Sequence, residues 1–113
     1  MKYLLALLIS AALAQQWSVA PITKTGNYVV LSTDANIIVS ATGTVTLTLP
    51  SATTSAGRVL NIKTMSAQAV ISNSSNVLSR TGVTAGTSIL TAVAGQWAVL
   101  TSDGITWIVM LGN

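Results

Sequence analysis

The sequence lacks most of the side chains that carry out chemistry in proteins. It has no histidine, no cysteine and no glutamate, and its two acidic residues are Asp34 and Asp103. Without cysteine there are no disulfides and no thiolate metal sites. Without histidine, the many serines and threonines have no imidazole beside them to activate a nucleophile. The composition therefore predicts a protein that is not an enzyme and that holds no metal or other cofactor.

Charge is also scarce. Only 6% of the 113 residues are charged and 50% are hydrophobic, with a mean hydropathy of +0.68. Soluble domains carry charge on about a quarter of their residues, so an isolated subunit would expose an unusually apolar surface. This shortage predicts that much of that surface is covered in an oligomer. The five cations are scattered, and the resulting net charge of +3 makes no concentrated patch that would predict nucleic-acid binding.

Residues 1–14 combine Lys2 with a short apolar run and a small-residue ending, a pattern typical of a secretory signal peptide. The run is shorter than the roughly 20 residues that a membrane-spanning helix needs. Two interpretations remain open. The segment is removed on export, with only transient membrane contact, or it is retained as a helical arm. As an arm, it and its connector would occupy residues 1–21, and the anchoring side chains would be Leu4, Leu5, Leu8 and Ala11.

Residues 22–113 are predicted to form one all-β domain, a small antiparallel β-sandwich or a jelly-roll-like fold. Short runs rich in Val, Ile, Leu and Thr alternate with Gly, Ser, Asn and Asp at a spacing of about 8–12 residues, which is typical of such folds. Residues 15–24 read as a connector. The predicted strands are YVVL (28–31), NIIVS (36–40), TVTLTLP (44–50), RVLNIK (58–63), QAVIS (68–72), NVLSR (76–80), TSILTAV (87–93), QWAVLTS (96–102) and ITWIVM (105–110).

The run TVTLTL alternates strictly between threonine and an aliphatic residue. Alternation of this kind gives a strand one apolar face and one hydroxyl-bearing face. The strand ends at Pro50, which has no N–H to donate to a neighbour. We assign its apolar face to the interface between subunits, through Val45, Leu47 and Leu49.

The C-terminal run QWAVLTSDGITWIVM predicts a hairpin. Asp103-Gly104 is a strong signal for a two-residue turn, which would pair Leu100 with Trp107. Both faces would then be apolar, although a half-exposed hairpin normally alternates. The first face carries Ala98, Leu100, Trp107 and Val109, and the second carries Trp97, Val99, Ile108 and Met110. We predict that one face packs in the core and that the second forms the subunit interface. A slipped register or a three-residue loop is the alternative.

Two other interpretations concern isolated residues. Trp97 and Trp107 are candidates for a sugar-binding platform, although burial within the hairpin also explains them. Asp34 and Asp103 are candidates for a carboxylate pair, but each lies in a sequence where aspartate favours a turn.

Residues 44–111 resemble a β-rich module that recurs in bacteriophage virion proteins, namely tail fibres, head fibres and capsid-decorating proteins. The matching features are Leu49-Pro50 at the end of a threonine-alternating strand, the segment from Gly57 to Lys63, and Ser102-Asp103-Gly104 followed by Trp107. The resemblance implies a structural module that is usually homotrimeric.

The predicted function is a non-enzymatic structural component of a bacteriophage particle. It would be a homotrimeric decoration, spike or fibre-type protein located in the virion, with its own copies and other capsid or tail proteins as partners. The first alternative is a secreted bacterial surface or filament protein with a cleaved signal peptide. The second alternative is a carbohydrate-binding module.

Overall fold

The computed structural model describes residues 19–113, which form ten short strands and one turn of 3₁₀ helix at Ala52–Thr54. The all-β prediction is confirmed. The strands are β1 (Ile22–Lys24), β2 (Tyr28–Val29), β3 (Asn36–Val39), β4 (Val45–Thr48), β5 (Val59–Thr64), β6 (Val70–Ser72), β7 (Val77–Leu78), β8 (Ser88–Leu90), β9 (Trp97–Ser102) and β10 (Trp107–Gly112).

The strands form two mixed sheets. Sheet A has six strands in the order β1-β3-β5-β9-β10-β7, and sheet B has four strands in the order β2-β4-β6-β8. The nine strands from β2 to β10 each overlap a predicted run. Strand β1 lies in the stretch predicted to be a connector, where ITK is too short to show a periodicity.

The chain alternates between the two sheets from β1 to β6. Each strand from β3 to β6 pairs in parallel with the strand two positions earlier. The first six strands therefore wind as three coils, in which a coil is one strand of sheet A followed by one strand of sheet B. Stacked coils of this kind are the architecture of solenoid proteins.

The expectation of an antiparallel sandwich is therefore corrected to a mixed one. Antiparallel pairing occurs between β5 and β9, between β9 and β10, and between β6 and β8. Among the first six strands, the short connections are corners that carry the chain from one sheet to the other. Alternating strands with short connections are compatible with either arrangement, because alternation fixes the buried face of a strand but not its partner.

The hairpin of β9 and β10 has a longer loop than predicted. Ser102 pairs with Trp107 and Leu100 with Val109, so that residues 103–106 form the loop. Gly104 has a φ of 91°, but among residues 19–113 positive φ occurs only at glycines. Asp103 therefore does not adopt the left-handed conformation that a type I′ turn requires. The slip relative to the predicted pairing is two residues as far as Val109 and three beyond it, where the pairing of the two strands shifts by one residue. The inward and outward faces stay as predicted, with Trp107 and Val109 buried and Ile108 and Met110 outside.

One hydrophobic core lies between the sheets. Its members come from the inward faces of both sheets, and Trp107, Ile37, Leu47, Leu60, Ile62 and Leu100 are its largest fully buried side chains. The pattern of alternate burial is clearest in β5, where Leu60, Ile62 and Thr64 are buried and the residues between them are exposed. The outward residues of each sheet are consequently left for other contacts.

Candidate assembly and binding surface

The outer face of sheet A is made of three rows of side chains that cross the strands. In-register pairing aligns the outward residues of neighbouring strands, and successive residues of a strand point to opposite faces. The rows are Thr23, Ile38, Lys63 and Trp97; Asn36, Asn61, Val99 and Leu111; and Val59, Thr101, Ile108 and Leu78.

One part of this face is almost entirely apolar. We call it the apolar half, and it consists of Val59, Leu78, Val99, Ile108, Met110 and Leu111. Val59, Met110 and Leu111 are exposed, at 45%, 60% and 59%, and the other members are partly exposed. A contiguous apolar patch on the outside of a soluble domain typically marks an interaction surface. Thr101 is the polar side chain that lies between Val59 and Ile108 in their row.

A β-bulge shapes the edge of the apolar half. Val109 pairs with Leu100 and Leu111 pairs with Val99, so Met110 is the extra residue between them. Bulges twist a strand and redirect its side chains. Gly112 follows, and a Cβ at this position would lie 2.9 Å from the Trp97 carbonyl oxygen. Glycine is therefore required where β10 approaches the start of β9.

The other part of the face mixes polar and apolar side chains. We call it the mixed half, and it consists of Asn36, Ile38, Asn61, Lys63 and Trp97. These residues, with Val99 at the boundary, line a groove of about 220 Å³ over β3, β5 and β9. Lys63 is the one charged side chain aligned with the three rows.

The two asparagines of the mixed half form a ladder. Asn36 and Asn61 pair in register on the parallel strands β3 and β5. The Asn36 Nδ2 group donates to the Val19 carbonyl oxygen at 3.0 Å, and the Asn61 Nδ2 group donates to Asn36 Oδ1 at 2.8 Å. In this arrangement the Val19 carbonyl orients the Asn36 amide, and Asn36 Oδ1 in turn orients the Asn61 amide. Asn61 Oδ1 is left as an acceptor at the open side of the ladder.

Trp97 stands at the end of the groove with 38% of its surface exposed. Asn113 makes two hydrogen bonds with the Trp97 backbone. Its Oδ1 atom accepts from Trp97 N at 2.9 Å, and its N–H group donates to the Trp97 carbonyl oxygen at 3.2 Å. Beside it, Lys63 Nζ donates to the Gly95 carbonyl at 3.3 Å. The indole and the ammonium group are thus both positioned at the groove.

The outer face of sheet B has a different chemistry. Its outward positions include Thr46, Thr48 and Ser88, together with Ile71 and the exposed Val29 at the edge. Hydroxyl groups of this kind are well solvated on a strand face that meets water. The sequence's threonine alternation is therefore explained by a solvated face, and the apolar surface is concentrated on sheet A.

The structure separates the predicted interface residues into two groups. Trp97, Val99, Ile108 and Met110 all lie on the outer side of sheet A, partly or largely exposed. Val45, Leu47 and Leu49 are 1%, 0% and 5% exposed in the core of a single chain, so their assignment to a subunit interface was wrong. The reason is that β4 turns its apolar face toward sheet A of the same chain. The anchor residues Leu4, Leu5, Leu8 and Ala11 lie outside the described residues.

The sugar-binding platform of two tryptophans is not formed. Trp107 is fully buried, and its Nε1 group donates to the Pro50 carbonyl oxygen at 2.8 Å. Trp97 lies on the opposite face of the hairpin. The two indoles therefore belong to different environments, and only Trp97 is open to a ligand.

The two carboxylates stabilise loops, as the turn interpretation predicted. Asp103 accepts from Ile105 N at 2.8 Å and from Thr106 N at 2.7 Å. The backbone N–H groups of Thr106 and Ile105 lower the pKa of Asp103 below its ordinary value. Asp34 accepts from the Tyr28 hydroxyl at 2.6 Å and from Leu31 N at 2.7 Å. Both carboxylates are occupied by the chain's own donors.

Tyr28 is held in a small polar cluster around Asp34. Its hydroxyl donates to the Asp34 carboxylate, and this hydrogen bond raises the pKa of Tyr28 above its ordinary value. Lys24 Nζ lies 4.2 Å from the centre of the ring, and Arg58 donates to the carbonyl oxygens of Leu31 and Asp34. The cluster fixes the loop before β3.

The sequence analysis did not predict several residues of the outer face of sheet A. Leu111 lies beyond the predicted end of its strand, and Leu78 and Val59 lie in strands with no predicted face. The asparagine ladder had a detectable signal, because Asn36-Ile37-Ile38 and Asn61-Ile62-Lys63 share the pattern Asn-Ile at their starts. The structure pairs these two triplets in register.

Comparison with protein-family models, with curated proteins and with solved structures gave no match to this chain. Among residues 19–113, no helix is long and apolar enough to cross a membrane.

Proposed function

We propose that this protein is a non-enzymatic structural subunit that assembles with copies of itself through the apolar half of sheet A. The observation that carries the proposal is the exposure of Val59, Met110 and Leu111 beside Val99 and Ile108 on one continuous sheet face. At roughly 25 cal/mol per Å² of apolar surface removed from water, burial of such a face stabilises an oligomer substantially. The low charge of the chain supports the same proposal.

We further propose that the assembly is a homotrimer in a bacteriophage particle, as a decoration, spike or fibre-type protein. The support is the resemblance of residues 44–111 to virion modules, which are usually homotrimeric. Capsid or tail proteins would be its other partners in the virion. Analysis of purified particles by mass spectrometry tests the location, and a chain recovered only from the host culture fluid would contradict it.

The signal-like segment at residues 1–14 favours the alternative of a secreted bacterial surface or filament protein. Intact-mass measurement of the native protein distinguishes the two. A mature chain that starts at Gln15 supports export, whereas a chain that retains Leu4, Leu5 and Leu8 supports an anchoring arm.

The test of assembly is a charge placed in the centre of the apolar half. We expect Ile108→Lys to convert the protein from the mass of three chains to that of one in light scattering, because a lysine in an apolar interface is buried without a partner. The matched control is Ile71→Lys, which makes the same substitution on the outer face of sheet B and should leave the mass unchanged.

Circular dichroism must show that the Ile108→Lys chain remains folded. If it does not, Thr101→Lys places the same charge at a position that is already polar. A wild-type protein that is monomeric at high concentration, or folded Ile108→Lys and Thr101→Lys variants that stay assembled, would contradict the proposal.

A further inference from the structure

The mixed half of sheet A has a composition that an interface between copies of this chain does not explain. Burial there would remove water from Lys63 and from the free acceptor Asn61 Oδ1, and an unpaired buried charge or amide is strongly unfavourable. A second copy offers few acids to pair with Lys63. The chain's acids are Asp34 and Asp103, and both accept hydrogen bonds within their own loops.

We propose that the groove of the mixed half binds an acidic oligosaccharide, with one uronate-type sugar ring against Trp97. The site goes beyond the proposed assembly function and does not depend on it. The groove of about 220 Å³ is smaller than the 300–1,000 Å³ of typical small-molecule pockets. It therefore suits a single ring of a longer chain that lies across the open sheet.

The apolar component of recognition is the indole of Trp97. A tryptophan ring offers a large, rigid apolar area with few torsions to immobilise, and its N–H remains a donor. The backbone hydrogen bonds to Asn113 hold the start of β9 in place, so the backbone that carries the ring does not have to be ordered when a ligand binds. A pyranose ring presents a face of C–H groups that packs against such a surface.

The polar component is the asparagine ladder. Asn36 Nδ2 is committed to the Val19 carbonyl, which directs the ladder so that Asn61 Oδ1 is free to accept from a sugar hydroxyl. The amide is pre-oriented by its neighbour on the parallel strand. Pre-orientation reduces the entropy lost on binding.

The charge selects the class of sugar. Lys63 Nζ makes one hydrogen bond, to the Gly95 carbonyl, and an ammonium group has three donors. It lies in the same row as Trp97, because the two residues pair across β5 and β9. A carboxylate on the ring that packs on Trp97 would therefore meet this ammonium group. Nucleic acid is disfavoured because a single lysine gives little phosphate neutralisation.

The test is isothermal titration of the full chain with three defined octasaccharides: oligogalacturonate, hyaluronan and, as a neutral reference, maltooctaose. We expect at least one of the two uronate-containing chains to bind at least tenfold more tightly than maltooctaose. Trp97→Ala and Asn61→Ala should each weaken this binding at least tenfold. Lys63→Ala should bring the uronate affinity down to that of maltooctaose.

The controls separate this site from the assembly surface. Thr46→Ala on the outer face of sheet B and Ile108→Lys in the apolar half should both leave uronate affinity within twofold. Asn61 is exposed, so Asn61→Ala preserves a folded test protein if Trp97→Ala does not. Absence of binding to both uronate chains overturns the proposal, as does unchanged affinity in Asn61→Ala and Lys63→Ala. If the protein assembles but binds no uronate, the binding site is wrong and the assembly proposal stands. If it is a monomer that binds a uronate chain, the assembly proposal is wrong and the binding site stands.

Discussion

At the scale of single residues, both aspartates and the buried Ser102 hold loops in place. Asp103 and Asp34 accept backbone and tyrosine hydrogen bonds at loops next to strands, and the buried hydroxyl of Ser102 donates to the Ala52 carbonyl at 2.8 Å. Aspartate and serine at such positions replace the backbone partners that a tight loop lacks. Both acidic residues thus stabilise loops, which the low charge content alone did not predict.

The Asp103 loop makes stability depend on pH in one direction. Its pKa is lowered on folding, so the ionised carboxylate contributes stability above the ordinary aspartate pKa of about 4. That contribution is lost as the pH falls through the depressed pKa. We expect the free energy of unfolding of the wild type to fall relative to that of Asp103→Asn between about pH 5 and pH 2, because asparagine keeps an acceptor oxygen but does not titrate.

Urea denaturation of both proteins across this range measures the effect. The two proteins differ only at residue 103, so the difference between their profiles isolates this side chain. Parallel pH profiles would show that ionisation of Asp103 does not stabilise the loop.

At the scale of elements, each strand turns one row inward, and the two sheets differ in what they turn outward. Strand β4 buries Val45 and Leu47 while Thr46 and Thr48 face outward. Strand β9 buries Ala98, Leu100 and Ser102 while Trp97 and Val99 face outward. The same alternation thus produces a solvated face in one sheet and an apolar face in the other.

Strand β4 allows the corrected role of its aliphatic row to be tested. Leu47→Ala should lower the free energy of unfolding by about 2–5 kcal/mol, because the fully buried side chain leaves a cavity in the core. Thr46→Ala, the neighbouring outward position, should change it by less than about 1 kcal/mol.

The measurement is chemical denaturation of the folded subunit in the Ile108→Lys background, which removes any contribution from assembly. Equal losses for the two substitutions would contradict the burial of Leu47 within one chain.

Sequence patterns were sufficient to predict where most strands lie and, in the C-terminal hairpin, which residues share a face. The C-terminal hairpin shows why this works, since a slip of two residues left Trp107 inward and Ile108 outward as predicted. Partners were not predictable, because β3 binds β1 and β5 through backbone groups that every residue carries. The binding surface was predictable only in part. Trp97 was a candidate because it is aromatic. Asn61 and Lys63 could not be recognised from the sequence, because their role depends on Asn36 and Trp97 in neighbouring strands.

At the scale of the whole molecule, the assembly that we propose would make the stability of this small domain depend on contacts between copies. A domain of this size buries a limited fraction of its surface on folding, and its apolar half remains outside the core. Covering that half adds a stabilising contribution that the isolated chain does not have. Under this proposal, the folded subunit would be more stable when a larger fraction of the protein is assembled.

Thermal stability should therefore depend on protein concentration. We expect the Tm of the wild type to rise when the concentration is raised a hundredfold, because mass action favours the assembled state. The Tm of Ile108→Lys should not change over the same range. Differential scanning fluorimetry across the dilution series gives both values, and a wild-type Tm that is independent of concentration would argue against coupled folding and assembly.

The parallel stacking of β1, β3 and β5, matched by β2, β4 and β6, has a consequence for how such a chain can vary in length. The second and third coils pair with the same offset along the chain in both sheets. Consider a second copy of the third coil inserted directly after β6. Its two strands would pair with β5 and β6, as β5 and β6 now pair with β3 and β4. The same two strands would then offer to β9 and β8 the edges that β5 and β6 offer now. We therefore expect an insertion of one such coil to lengthen the fold by a whole turn and to leave the closing strands and their outward rows intact.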